Sequence, residues 1–382
     1  MDATRTWVGR AGPRFPGVRR IAVLRGGGLG DLVQSLPAAE ALAAAYPDAA
    51  LTLLGLPAHL ALLADRPSPY RSLVGLPVRP GVRAGTEDPA ATAAFLVRAL
   101  AERFDLAVQL HGGGRNANPL LLELGARHTL GSRTDDAPEL ERTRPFLHLQ
   151  HEVLRGLEVV ALAGAAPVGL EPRLHLRPAE QEQRDAARGG PPTVVVHPGA
   201  TDLRRHWPVE RFAAVVGALV ADGVRVELVG DASEADLAEA LLAAVDAPHG
   251  RLASRVGAQD LGALVGTLAA ADVVLANDSG PRHVAAAVGT RTAGVFWVGN
   301  VVTAAPLGRS RHRIQVGFTP RCPVCDRDLT EPGWTAERCE HDPSIVADVD
   351  PVRVLADVRA LLADAVRERR GEEDGRRAGQ PG

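Results

Sequence analysis

Val273-Val274-Leu275-Ala276-Asn277-Asp278-Ser279-Gly280-Pro281-Arg282-His283-Val284-Ala285-Ala286-Ala287 is the stretch on which the reading of this chain turns. Residues 273–276 are apolar and read as a buried strand. The chain then turns through small residues and enters a helix at Pro281. Asp278 and Ser279 are N-cap types, and proline suits a first helical turn, where its missing N–H would have had no partner. Such a junction leaves backbone N–H groups at the C-terminal edge of a sheet. The positive end of the helix dipole there favours an anion such as a diphosphate. Arg282 and His283 lie on that first turn. Taken alone, the segment is equally an ordinary capped helix after a strand.

Working outward, the second half carries two comparable turns. In His197-Pro198-Gly199-Ala200-Thr201-Asp202-Leu203-Arg204-Arg205-His206-Trp207-Pro208 a strand end passes through small residues into a cationic loop. Two arginines beside free amides suit a phosphate, although the same loop reads as a solvated basic surface. In Leu228-Val229-Gly230-Asp231-Ala232-Ser233-Glu234 a strand end again precedes a helix start. A carboxylate there can hold ribose hydroxyls or simply favour the helix dipole. These turns fall at predicted strand C-termini, which is the edge where open parallel sheets bind ligands.

The first half alternates in the same way. Strands are predicted at 21–25, 51–54 and 105–110, with helices at 31–46 and 90–103 between them. Arg25-Gly26-Gly27-Gly28-Leu29-Gly30-Asp31 joins the first strand to its helix. The spacing is not a dinucleotide fingerprint, because Asp31 stands at the third glycine position and no acid closes the second strand. A nicotinamide cofactor is therefore not expected. Asp31 is either an acid at a helix start or a general base for an acceptor hydroxyl.

The 382 residues suit two domains. Hydrophobic content of 46% and charged content of 23% are those of a soluble globular chain. A net charge of −3 gives no support to a nucleic-acid surface. All 43 Lys and Arg residues are arginine. The sequence shows neither an apolar run long enough to span a bilayer nor the h-region of a secretory signal, so a cytoplasmic protein is expected. The expected layout is a disordered leader at 1–18, a Rossmann-like domain at 19–178, a polar linker at 179–192 and a second Rossmann-like domain at 193–348. A terminal helix at 349–368 is expected to pack back on the first domain, ahead of a disordered tail at 369–382.

Cys322-x2-Cys325-x13-Cys339-x-His341 supplies three thiols and an imidazole, enough for a tetrahedral structural zinc. The one-residue gap before His341 is tighter than in common fingers. Three reduced thiols in a surface loop are the plainer alternative.

Together, Arg25…Leu29-Gly30-Asp31…Leu36-Pro37, His151-Glu152-Val153-Leu154-Arg155, His197-Pro198-Gly199-Ala200 with Arg205-His206-Trp207-Pro208, and 277–286 resemble glycosyltransferase family 9, the ADP-heptose:lipopolysaccharide heptosyltransferases. The resemblance implies a GT-B fold, two Rossmann-like α/β domains facing a cleft that closes on substrate. It implies an inverting, metal-independent transferase that moves a sugar, heptose from ADP-heptose, to a glycan or glycolipid acceptor. Asp31 would be the base, and Ala200, Thr201, Arg205, Glu234, Asp278, Ser279, Gly280 and His283 would hold the donor. Arg205 stands where the family usually has a lysine, which suits a chain without lysine. No catalytic cofactor is implied. The expected protein is a monomer with no nucleic-acid partner and at most peripheral contact with the inner membrane face. The rival readings are a sugar-nucleotide epimerase or hydrolase on the same fold and a non-catalytic nucleotide-sugar-binding protein.

Overall fold

The computed structural model describes residues 11–330 and 339–378, with side chains to residue 369. The chain divides into two compact units, Met1–His175 and Leu176–Gly382.

The first unit runs β1 (Arg20–Leu24), α1 (Leu29–Ala45), β2 (Ala50–Gly55), α2 (Pro57–Leu63), β3 (Ser72–Gly75), α3 (Pro89–Glu102), β4 (Leu106–Gln109), α4 (Ala117–Glu123), β5 (His128–Arg133), β6 (Arg142–Pro145) and α5 (Glu152–Ala161). The second runs α6 (Pro178–Ala187), β7 (Thr193–His197), α7 (Val209–Ala221), β8 (Arg225–Leu228), α8 (Ala235–Ala243), β9 (Leu252–Ser254), α9 (Leu261–Ala270), β10 (Val273–Asn277), α10 (Gly280–Ala287), β11 (Arg291–Trp297), α11 (Val298–Ala304), β12 (His312–Gly317) and α12 (Pro351–Ala378).

Each unit holds a six-stranded parallel sheet, ordered β3-β2-β1-β4-β5-β6 in the first and β12-β11-β10-β7-β8-β9 in the second. Counted from its own first strand, each has the order 3-2-1-4-5-6, the Rossmann topology. Central strands are buried on both faces, as in Val194–Val196 and Val273–Ala276, because helices cover both sides. The switch points lie between β1 and β4 and between β7 and β10. Parallel register sets Ala276 beside His197, so the turns after β7 and β10 emerge side by side.

Three boundaries differ from the sequence reading. Residues 11–18 are packed, not loose. Phe15 and Val18 are buried, the Phe15 N–H donates to Tyr46 Oη at 3.0 Å, and the Phe15 ring stacks on His128. Residues 1–10 of the expected leader lie outside the described residues. The segment read as a linker forms α6, which belongs to the second unit and packs on α9. Its pattern is polar, but Pro178 at the first turn, Glu180 accepting the Arg177 N–H and a run of Ala, Glu, Gln and Arg favour a helix.

The terminal helix continues to Ala378, through much of the expected tail, and residues 379–382 lie outside the described residues. Its stripe Val354, Val358, Leu361, Leu362 and Ala365 is buried. The elements it packs on include α7, β10, β11 and β12 of its own unit, where the sequence reading sets it on the first domain. Arg359 adds an ion pair to Asp222 at the end of α7.

Candidate functional sites at the sheet edges

In the first unit the glycine-rich turn after β1 opens α1. Gly27 takes φ +83°, a left-handed conformation that favours glycine, and a Cβ there would run into the Asp31 carboxylate. Asp31 occupies the first helical turn and accepts the Gly28 N–H at 2.8 Å. Its other oxygen takes Arg25 Nη2 at 2.7 Å. Arg25 is buried and also reaches the Leu110 carbonyl and Glu152 Oε2. Glu152 in turn pairs with Arg155, which explains why His151–Arg155 belongs with the turn. Arg25, Glu152 and Arg155 line a small depression together with Gln34, Ser35, Leu110 and Ser132.

His59, fully buried, braces the turn from below. Its Nδ1 accepts the Leu56 N–H at 3.3 Å, so Nε2 carries the hydrogen donated to the Gly27 and Gly28 carbonyls at 3.0 and 3.1 Å. Burial depresses its pKa, and the nearby Arg25 works in the same direction. Asp31 keeps 44% of its side-chain surface exposed, so the carboxylate is oriented by fixed donors yet reachable from solvent.

In the second unit, Asp278 follows β10 and is buried. Its oxygens meet Arg205 Nη1 at 3.3 Å, Asn300 Nδ2 at 2.5 Å, His283 Nε2 at 3.2 Å and Arg282 Nη2 at 3.6 Å. Burial alone would raise its pKa. His283, Arg282 and Arg205 outweigh that and hold the carboxyl well below the usual range. Arg282 is 1% exposed and lies over the Phe296 ring; burial pulls its pKa down to about 10 against the support of Asp278.

Ser279 is the N-cap of α10 but makes no side-chain cap, contrary to the simple capping reading. Its Oγ instead meets His197 Nδ1 at 3.0 Å, and His197 Nε2 meets Glu234 Oε2 at 3.2 Å. Glu234 also accepts the Asp231 N–H at 3.0 Å. Its carboxylate lies over Gly199 and Gly230, where any Cβ would overlap it. Gly199→Ala is therefore expected to push Glu234 off His197 and cost about 1–3 kcal/mol of stability, the usual penalty of overpacking. Chemical denaturation reads the loss, and an unchanged midpoint would contradict this packing.

The donor set predicted from sequence is thus largely brought together at one edge. Arg205, Asp278 and His283 form one cluster, and Ser279 with Glu234 forms a second through His197. Gly280 opens α10. Ala200 is partly spent, since its N–H donates to His206 Nε2 at 2.9 Å. Thr201 is exposed. Sequence reasoning passed over Asn277 and Asn300. Asn277 is fully buried, accepts the Trp207 N–H at 3.2 Å and donates to the Pro198 carbonyl at 2.6 Å, which ties the β7 turn to the β10 turn. An asparagine ending an apolar strand was the available signal. Asn300 had none, because it lies beyond the next strand.

Cys322, Cys325, Cys339 and His341 converge, with their ligand atoms all within 4.8 Å of one another. Cys325 Sγ is 3.4 Å from Cys339 Sγ, and Cys339 Sγ is 3.5 Å from His341 Nδ1. The Asp326 N–H returns to the Cys322 carbonyl at 3.0 Å, closing a tight knuckle. The Cys325 and Val324 amides pull the Cys322 thiol down to about 7. Among the described residues, no helix is long and apolar enough to cross a membrane.

Comparison with known proteins completes the picture. The chain is 30% identical over 155 residues to lipopolysaccharide heptosyltransferase 3 of Escherichia coli, a match covering 40% of this chain and 45% of that one. It is 27% identical over 233 residues to lipooligosaccharide heptosyltransferase 2 of Haemophilus influenzae, covering 55% and 67%. The matched region thus spans under half of the first relative and about two thirds of the second. Among solved structures, the ADP-heptose lipopolysaccharide heptosyltransferase II of E. coli superposes with a TM-score of 0.67 at 19% identity, covering 91% of this chain and 99% of that one. The fold is the GT-B class of α/β architecture, built from two Rossmann-like units. The family model for glycosyltransferase family 9 (heptosyltransferase) matches residues 94–328, more than half of the chain, and this protein belongs to that family.

Proposed function

We propose that the protein is an inverting glycosyltransferase that moves heptose from ADP-heptose to a glycan or glycolipid acceptor at the inner, cytoplasmic face of a membrane. The observation that carries this reading is the Arg205–Asp278–His283 cluster beside the start of α10, at the switch point of the second sheet. The donor diphosphate lies against the α10 amides, Ser279, Gly280 and Arg205. These supply the positive field that stabilises a departing nucleoside diphosphate, so the chemical step needs no metal. Asp278 and His283 face the sugar, and Glu234 takes the ribose. Asp31 removes the acceptor proton as the hydroxyl attacks the anomeric carbon from the face opposite the leaving group, which inverts it.

The test is incubation with ADP-, UDP- and GDP-sugars, with and without lipopolysaccharide-core acceptors. ADP release that requires both ADP-heptose and an acceptor supports the reading. Donor hydrolysis without acceptor, conversion of the sugar, or binding without turnover would each point to a rival.

The cysteine knuckle is read as a structural metal site held by Cys322, Cys325, Cys339 and His341. Thiolates and imidazole are the donor set of tetrahedral zinc, and mutual distances below 5 Å suit ligands around one ion. Purified protein should carry about one equivalent of zinc or iron, and Cys322→Ser should lose it. Elemental analysis that finds neither metal would reduce the cluster to free thiols.

A further inference from the structure

Glu234, His197 and Ser279 form a continuous chain whose hydrogens can be counted. The ionised Glu234 carboxylate only accepts, so His197 Nε2 must carry the hydrogen between them, 3.2 Å apart. In the neutral ring Nδ1 is then an acceptor, and the Ser279 hydroxyl must point its hydrogen at it across 3.0 Å. In that state Ser279 turns only lone pairs outward. A phosphoryl oxygen placed against Ser279 would meet lone pair against lone pair. A second hydrogen on Nδ1 reverses the chain. The imidazolium donates to both Glu234 and Ser279, and the serine hydroxyl swings out as a donor.

We propose that His197 is a proton-linked positioning residue: binding of a nucleoside diphosphate takes up one proton from water at His197 Nδ1, which frees the Ser279 hydroxyl to donate to a phosphoryl oxygen. The proton comes from the buffered solvent, whose acid gives up its own bond to hydrogen as the His197 N–H forms, and no other covalent bond changes. The inference rests on reading this edge as the diphosphate site.

The ring is held in place. His197 is 4% exposed and ends β7, so it has little freedom to relieve the conflict by turning away. Glu234 is its counter-charge, held in place by the Asp231 N–H. Among the described residues, the charged or titratable groups on these turns include Asp231 beside Glu234, Asp202, Arg204, Arg205 and His206 on the loop after β7, Arg255 after β9, and Asp278, Arg282 and His283 on the turn after β10. Asp278 is already engaged by Arg205, Arg282, His283 and Asn300, and His206 by Ala200, while Asp202 pairs with Arg204. That leaves His197 as the imidazole in hydrogen-bond contact with a phosphate-facing hydroxyl. His283 is the competing site of uptake and serves as the control.

Calorimetry of ADP binding to the full chain at saturation tests this. It is run at about pH 8, so that ADP enters fully ionised, in two buffers of different ionisation enthalpy. The wild type should take up about one proton per ADP, and its affinity should fall by up to about tenfold per pH unit over the linked range. His197→Gln should lose the uptake and flatten the pH dependence, while His283→Gln should keep the uptake per bound ADP, whatever it does to affinity. If His197→Gln does not fold, Glu234→Gln removes the counter-charge and should lower the uptake per bound ADP, whatever it does to affinity. Equal uptake in wild type and His197→Gln, or in wild type and Glu234→Gln where that variant stands in, would overturn the proposal and leave the donor site standing. Absence of any ADP binding by the wild type would remove the donor site and the proposal together.

Discussion

Asp31→Ala is expected to lower sugar transfer by roughly a hundred- to ten-thousand-fold, the usual worth of a positioned general base, while ADP affinity stays within about twofold. The separation follows from structure. Asp31 belongs to the turn after β1, and the groups proposed to hold the donor belong to the second unit. Two fixed donors, the Gly28 N–H and Arg25, orient the carboxylate without burying it. Asp31→Asn sharpens the test. An amide oxygen can still accept one of those bonds, so the turn keeps its shape, but the group cannot take a proton. Single-turnover transfer measured beside nucleotide binding distinguishes the outcomes. Normal turnover in either variant would remove Asp31 from the chemistry and leave it as a helix-start acid.

Asp278→Ala is expected to destabilise the second unit by about 3–5 kcal/mol, the cost of removing one partner from a buried charge pair. Arg282 is the reason. It is 1% exposed, and its charge would be left without the carboxylate that balances it. Asp278→Asn keeps the size and the Asn300 contact and isolates the charge itself. Since the folded carboxyl lies below its ordinary value of 3.8, its stabilising contribution is complete above that value. It is lost as the pH falls through the depressed folded value. Urea unfolding across acid pH should therefore show a slope in the wild type that is smaller in Asp278→Asn. Wild-type stability in Asp278→Ala would contradict the buried pairing.

How much of this was legible beforehand depended on whether the signal was local. The strand–turn–helix junctions at 24–31, 197–208, 228–234 and 273–287 were, because buried parallel strands are unbroken apolar runs and helix starts have their own residue types. The resemblance of those junctions to one family named the fold and supplied the residues proposed to hold the donor. The edge strands β6 and β12 were not legible. β6 reads Arg-Thr-Arg-Pro and β12 reads His-Arg-Ile-Gln-Val-Gly, and neither contains an apolar run. α6 reads as a linker because its sequence is polar and runs into Gly and Pro, although Pro178 and Glu180 mark a helix start. Residues 11–18 look loose because two buried side chains among glycines and prolines make no periodic pattern.

Sequence alone settled the α/β class and where along the chain the strand-end turns lie, since both follow from periodicity and from residue types at strand ends. Which side chains meet at those turns was decided only by tertiary structure. His197 and Ser279 are 82 positions apart, and Glu234 and His197 are 37 apart. They meet because β7, β8 and β10 are adjacent in a parallel sheet, with Ala276 in register with His197. Strand order converts separation along the chain into neighbours at one edge, and no local pattern encodes it.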